Sequence, residues 1–143
     1  MKKFEYTHIV GFEDTNLVGN VYFSNFLKWQ GRCREFFLKE NCPEILGLIN
    51  SNDLALITIH CSCDYIGELK AFDEVRIAMR LIEVKSNRVK IGFEYFRIVN
   101  ASELLVATGV HEIGCFKRKG DGLEVIPVPA SMIDSLEEYR INS

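Results

Sequence analysis

Apolar positions alternate with polar ones at the start of the chain, then recur at helical spacing, then alternate again in four long runs. Phe4, Tyr6, His8, Val10 and Phe12 share one face of residues 4–12 in strict period two, which predicts a first strand. Residues 14–19 are polar and Gly-bearing and predict a turn. Beyond it, Tyr22, Phe26, Trp29, Cys33 and Phe37 recur at steps of three and four, widened by Phe23, Leu27, Phe36 and Leu38. That stripe predicts a long amphipathic helix over 21–40 with one broad buried face. Asn20 suits its N-cap, because the side chain can accept an N–H of the first turn; Ser24 takes the role if the helix starts a turn later. Cys42, Pro43 and Gly47 mark an irregular link or short helical turn, since Pro43 cannot continue the long helix.

From Leu54 onward the chain is rich in Val, Ile and aromatics, and strands are predicted at 54–66, 74–84, 89–99 and 104–118. The segments between them, 67–72, 85–87 and 100–102, are short. Short links favour an antiparallel meander, because a parallel pairing needs a crossover of about a dozen residues or more. Pro127 and Pro129 end the last strand, and 130–139 can close the chain as a short helix. The predicted class is α+β: one long helix beside a five-stranded antiparallel sheet that wraps it, with an edge or outer face left for a partner.

The 143 residues are expected to form a single domain, 1–143, large enough for one apolar core. A hydrophobic share of 48% and a charged share of 26% are those of ordinary globular proteins. No apolar run is long enough to span a membrane, and the opening Met-Lys-Lys-Phe-Glu lacks the apolar core of a signal peptide, so a cytoplasmic protein is expected. A net charge of −3 offers no footprint for nucleic acid. Lys117, Arg118 and Lys119 read as a solvated strand tip, or alternatively as a contact for coenzyme A phosphates or an acidic carrier protein. Five cysteines form an odd set that argues against a disulfide framework; Cys61 and Cys63 lack a second pair for zinc, so buried free thiols and no metal are expected.

The turn before the helix carries the candidate chemistry. A helix start presents unpaired N–H groups to any carbonyl docking there, a means of stabilising an oxyanion. By position the N–H groups of Val21 and Tyr22 are the expected donors, and Gly19 would let an acyl chain approach the backbone. Arg34 shares a helix face with apolar neighbours, so it is either half of a buried ion pair or a charge stabiliser in a site. Asp14, on a turn, ordinarily bonds backbone N–H groups. His8, His60 and His111 are widely separated strand residues, expected to be packed rather than catalytic.

Residues 13–34, with Glu-Asp-Thr-Asn-Leu-Val-Gly-Asn-Val-Tyr leading into Trp-Gln-Gly-Arg-Cys-Arg, resemble the signature of hotdog-fold thioesterases of the 4-hydroxybenzoyl-CoA type. That pattern usually reads Asp-x-Asp-x-x-Gly-x-Val-Tyr-x-x-x-Tyr, followed by an aromatic-Glu-x-x-Arg on the helix. Asn16 stands at its second Asp, Gly31 where many relatives carry the helix Glu, Phe26 at the second Tyr, and Arg34 at the closing Arg. An amide cannot take a proton as a carboxylate does, so water would be activated by positioning.

With Asn16 and Arg34 together, the stretch is most similar to the thioesterases that accompany enediyne polyene synthases. The resemblance implies hydrolysis of a long polyene β-ketoacyl thioester from the acyl carrier protein of an iterative polyketide synthase, with decarboxylation able to follow. It further implies Asn16 and Arg34 as catalytic residues with Val21 and Tyr22. Gly19, Asn20, Phe23, Phe26 and Trp29 would bind the acyl chain, no cofactor is needed, and a homodimer would pair into a homotetramer. Rival readings are a general acyl-CoA thioesterase and a non-catalytic acyl-binding module. The absence of His between Ile9 and Ile59 argues against the dehydratases of the same fold.

Overall fold

A computed structural model describes residues 2–141. The chain runs β1 (Phe4–Ile9), a short 3₁₀ turn (Phe12–Asp14), α1 (Phe23–Asn41), α2 (Pro43–Asn50), β2 (Ala55–Tyr65), β3 (Glu74–Lys85), β4 (Arg88–Val99), β5 (Ser102–Lys119), β6 (Gly122–Val125) and α3 (Ala130–Glu137). The sheet has the order β1-β3-β4-β5-β2 with every pairing antiparallel. Strand β6 pairs with the end of β5 beyond the last rung to β4, which makes six strands where five were expected.

The apolar stripe of α1 lies against the inner face of the sheet. Phe26, Trp29, Cys33 and Phe37 are buried with Ile77, Met79, Ile91, Phe93 and Tyr95, one core held between a helix and the sheet that curves around it. Tyr95 Oη donates to the Phe26 carbonyl over 2.6 Å, which ties the first turn of α1 to the middle of the sheet. At the far end Phe4 packs edge-on to Phe37, with ring centroids 5.5 Å apart. Asn100 and Ala101 both hold left-handed φ, 48° and 67°, the geometry of a two-residue turn between twisted strands.

Four local expectations change. Strand β1 stops at Ile9, so Phe12 leaves its inner face and stands exposed against Phe72. Helix α1 opens at Phe23, not Val21, after an extended Tyr22. Asn20 does not cap it; its Nδ2 donates instead to Glu68 Oε1 at 3.2 Å. The link after the long helix is a full helix, with Pro43 in its first turn where a missing N–H costs nothing.

Strand β2 is an edge: along its eleven residues only the side facing β5 is paired. No helix among the described residues is long and apolar enough to cross a membrane.

Candidate active site

The segment before α1 is a small hairpin. Asn16 N donates to Asn20 O (2.9 Å), Gly19 N to Asn16 O (3.0 Å), and Val18 N to Asn16 Oδ1 (3.0 Å). Gly19 supplies the left-handed residue this closure needs, at φ 87°, while Leu17 and Val18 stand exposed at the tip. Gly19 therefore serves the turn; it does not line the neighbouring pocket.

The descending arm of the hairpin is stitched on both sides before the helix begins. Val21 N donates to Leu69 O at 2.8 Å, and Tyr22 N donates to Asp14 O at 2.9 Å. The expected oxyanion donors are thus already occupied, because the chain runs as a strand-like bridge through these residues rather than as a helix. The unbonded amides come one step later. Phe23 and Ser24 open the helix, and neither N–H has an acceptor among the described residues.

Asn16, Asn20, Val21, Tyr22, Phe23 and Phe26 line one pocket of about 300 Å³, closed on its far side by Tyr65 and the 67–69 turn. Tyr65 Oη donates to Phe23 O over 2.9 Å, and burial together with the thiols of Cys63 and Cys61 raises its pKa to about 12, so the phenol stays protonated. With Oδ1 bonded to Val18, the amide NH₂ of Asn16 has no partner among the described residues and is free to donate. Trp29 is absent from this pocket: it is buried with its ring 4.8 Å from His8 and 5.4 Å from Phe26.

Arg34 lies elsewhere on the protomer. Eleven residues of helix separate it from Phe23, roughly 16 Å along the axis. It borders a second cavity of about 470 Å³ between α1, α2 and β2, walled by Phe36, Leu38, Leu46, Ile49 and Leu56. No carboxylate among the described residues pairs with it. Its Nη1 lies 3.4 Å from both Thr58 Oγ1 and His111 Nε2. Burial holds its pKa below the ordinary value, and only the charge of neighbouring Glu35 opposes this. Among the described residues Arg34 has no ion-pair partner and is a half-buried cation resting on neutral groups.

Two of the strand histidines are packed against functional groups. His111 is buried, and burial plus the charge on Arg34 lower its pKa to about 4, so it is neutral at physiological pH. Neither it nor Thr58 carried a local signal, because β2 and β5 bring them to Arg34 across 24 and 77 residues of sequence.

His8 Nε2 lies 2.9 Å from Asp14 Oδ2, which also accepts Gly11 N at 2.9 Å. Burial pushes the Asp14 carboxyl up, but the Gly11 N–H and His8 outweigh it and hold the pKa below its usual value. Asp14 O receives both Tyr22 N and Asn25 Nδ2, so this residue locks the hairpin to the helix. Asp14→Ala keeps that carbonyl but removes the carboxylate's contacts to Gly11 N and His8, and is expected to cost about 2 kcal/mol, read as a lower urea midpoint. The stabilisation is complete above the unfolded-state pKa of about 4 and is lost as pH falls through the lower folded value. An unchanged midpoint with lost turnover would instead give Asp14 a chemical role.

All five cysteines are free. Cys33, Cys42 and Cys115 are buried as expected, whereas Cys61 is exposed on β2 and Cys63 is partly covered. Burial raises the Cys33 thiol far above its ordinary pKa, which leaves it inert. No cluster of three or more metal-ligating side chains occurs among the described residues.

A long helix held in a wrapped antiparallel sheet is the architecture of the hotdog fold. Residues 10–136 match the profile of the Thioesterase-like superfamily, and the chain belongs to that family. Among solved structures it is similar to the dynemicin thioesterase, whose crystal structures reveal induced-fit and allosteric effects upon polyene binding. The identity is 38%, with 99% of this chain and all of that one covered and a TM-score of 0.93. A 1,4-dihydroxy-2-naphthoyl-CoA thioesterase from Synechocystis shares the fold at a TM-score of 0.84 and 21% identity, over 96% of this chain and 97% of its own. By sequence the chain is 27% identical over 112 residues to a 1,4-dihydroxy-2-naphthoyl-CoA hydrolase of Crocosphaera subtropica, covering 74% of this chain and 78% of that one. The protein is a thioesterase.

Proposed function

We propose that this thioesterase releases a long polyene β-ketoacyl chain from the acyl carrier protein of an iterative polyketide synthase. The observation that carries the reading is Arg34, an unpaired cation at the rim of an apolar cavity, in a chain 38% identical over its length to the dynemicin thioesterase. A long conjugated chain matches that cavity's walls, and its polar head matches the guanidinium.

In this mechanism the Asn16 NH₂ and the open N–H groups of Phe23 and Ser24 hold the thioester carbonyl oxygen as it becomes an anion. Water adds to the carbonyl carbon, the C–S bond breaks, and the thiolate leaves with the proton that the water gives up. No carboxylate takes part. The β-keto acid set free can then lose carbon dioxide.

Asn16 and Arg34 lie too far apart to meet within one protomer. A homodimer formed by pairing the free edges of two β2 strands would place each hairpin against the partner's helix and bring the two residues to one site, and two such dimers would form a tetramer.

A second reading rests on the curated relatives, which are named as hydrolases of an acyl-CoA. Here the coenzyme's phosphates would meet Arg118 and Lys119 at the tip of β5, beside Lys117 with its long 3.8 Å contact to Asp53. Hydrolysis of polyene chains on carrier protein should exceed that of the matching coenzyme A esters by at least tenfold in kcat/KM. A preference of that size for the coenzyme A esters selects the second reading.

A further inference from the structure

We infer that His111 is a positioning residue for the hydrolysis, a neutral acceptor that aims the Arg34 guanidinium; this rests on the role proposed above for Arg34. Three observations converge on it. Arg34 has no anionic partner among the described residues, so nothing else of opposite charge fixes the direction of its fork. The groups that do touch it, Thr58 Oγ1 and His111 Nε2, also lie 3.1 Å from each other, closing a three-membered polar cluster of which Arg34 is the member that borders the apolar cavity. And His111 holds this position at an internal cost.

The cost follows from the protons. Arg34 has only donors, so in the tautomer that serves it His111 Nε2 is the acceptor for Arg34 Nη1 and for the Thr58 hydroxyl, and the imidazole proton sits on Nδ1. Nδ1 is buried and has no partner. A buried N–H without an acceptor destabilises the fold, and His111 faces Phe93 across a ring distance of 6.3 Å on the buried face of β5, where its same-face neighbours are Gly109 and Ile113. An aromatic hydrocarbon would pack here without that penalty. What it could not do is accept from Arg34. Burial and the adjacent cation both disfavour the imidazolium, which keeps the acceptor lone pair available at working pH.

Stability and turnover should therefore respond in opposite directions. His111→Phe is expected to keep or raise the melting temperature while lowering kcat at least tenfold, with KM changed less than threefold. His111→Gln, which restores an acceptor, should recover kcat to within threefold of the parent. In an Arg34→Ala background, His111→Phe should have no further effect beyond twofold. Thr58→Val, at an exposed position, provides a second variant that folds regardless, with a loss of at least threefold that again vanishes without Arg34.

An activity-independent reading comes from ¹⁵N spectra of the labelled full chain. Solvent exchange of the Arg34 Nη1 protons, followed at low temperature, should accelerate at least tenfold in His111→Phe. Equal losses with and without Arg34, or exchange that ignores His111, overturn the inference. Should the parent cleave none of the thioesters while exchange remains His111-dependent, the substrate proposal fails and the seat for Arg34 stands.

Discussion

Arg34→Ala is expected to lower the single-turnover rate of thioester cleavage by about 10²- to 10³-fold, the loss typical of removing one preorganised stabiliser of developing negative charge. Two features of the structure set the size of the effect. The guanidinium is half-buried, where a charge acts through less water than at the surface, and no carboxylate among the described residues pairs with it. Its field is thus available to an anion arriving from the acyl cavity. The same facts predict that the fold will not suffer, because no ion pair is broken, so the urea midpoint should stay within the scatter of the parent. Arg34→Lys should recover only part of the rate: an ammonium keeps the charge, but its shorter stem does not carry it to the place that Nη1 holds beside Thr58 and His111. A loss below tenfold for Arg34→Ala would remove Arg34 from the chemistry.

That contrast explains which parts of the protein could be read in advance. Period-two and helical spacing locate β1 to β5 and the body of α1, because burial on one face leaves a direct mark on residue order. The start of α1 did not follow from spacing. Tyr22 belongs to the apolar stripe, yet its N–H and that of Val21 are taken by Asp14 and Leu69, partners that only the folded hairpin and the 67–72 turn supply. Trp29 shows the same limit. Its place on the stripe marks it as buried, but whether it faced the acyl pocket or His8 depended on the rotation of α1 against β1. Arg34 could be singled out because a cation among apolar neighbours is conspicuous. His111 could not, since nothing else on β5 hints at a contact with the helix. The site is built from long-range pairings, and those leave no periodic trace.

One of those pairings is tight enough to be tested by a single methyl group. Gly109 lies on β5 opposite Cys63 of β2 on one side and Phe93 of β4 on the other, directly beneath buried Gln30 of α1. Gln30 Nε2 donates to Ser62 O over 2.9 Å, the bond that fastens the helix to the edge strand. A Cβ at Gly109 would overlap Gln30 Nε2 and stand 2.8 Å from Ser62 O, so it drives a wedge between both atoms of that bond. Neither can yield freely, since one is in the core and the other is backbone. Overpacking together with a broken buried hydrogen bond gives an expected loss of roughly 3 kcal/mol for Gly109→Ala, or about 6–12 °C in melting temperature for a chain of this size. Combining it with Gln30→Ala removes one of the two collisions, so the double variant should be less destabilised than the sum of the singles. Strict additivity, or a melting temperature for Gly109→Ala equal to the parent's, would mean the helix and β2 do not approach this closely. The consequence reaches the chemistry as well. Thr58 sits four residues from Ser62 on the same strand, so a wedge at Gly109 that shifts β2 also displaces one of the two groups on which Arg34 rests. Gly109→Ala should therefore lose turnover even below its melting temperature.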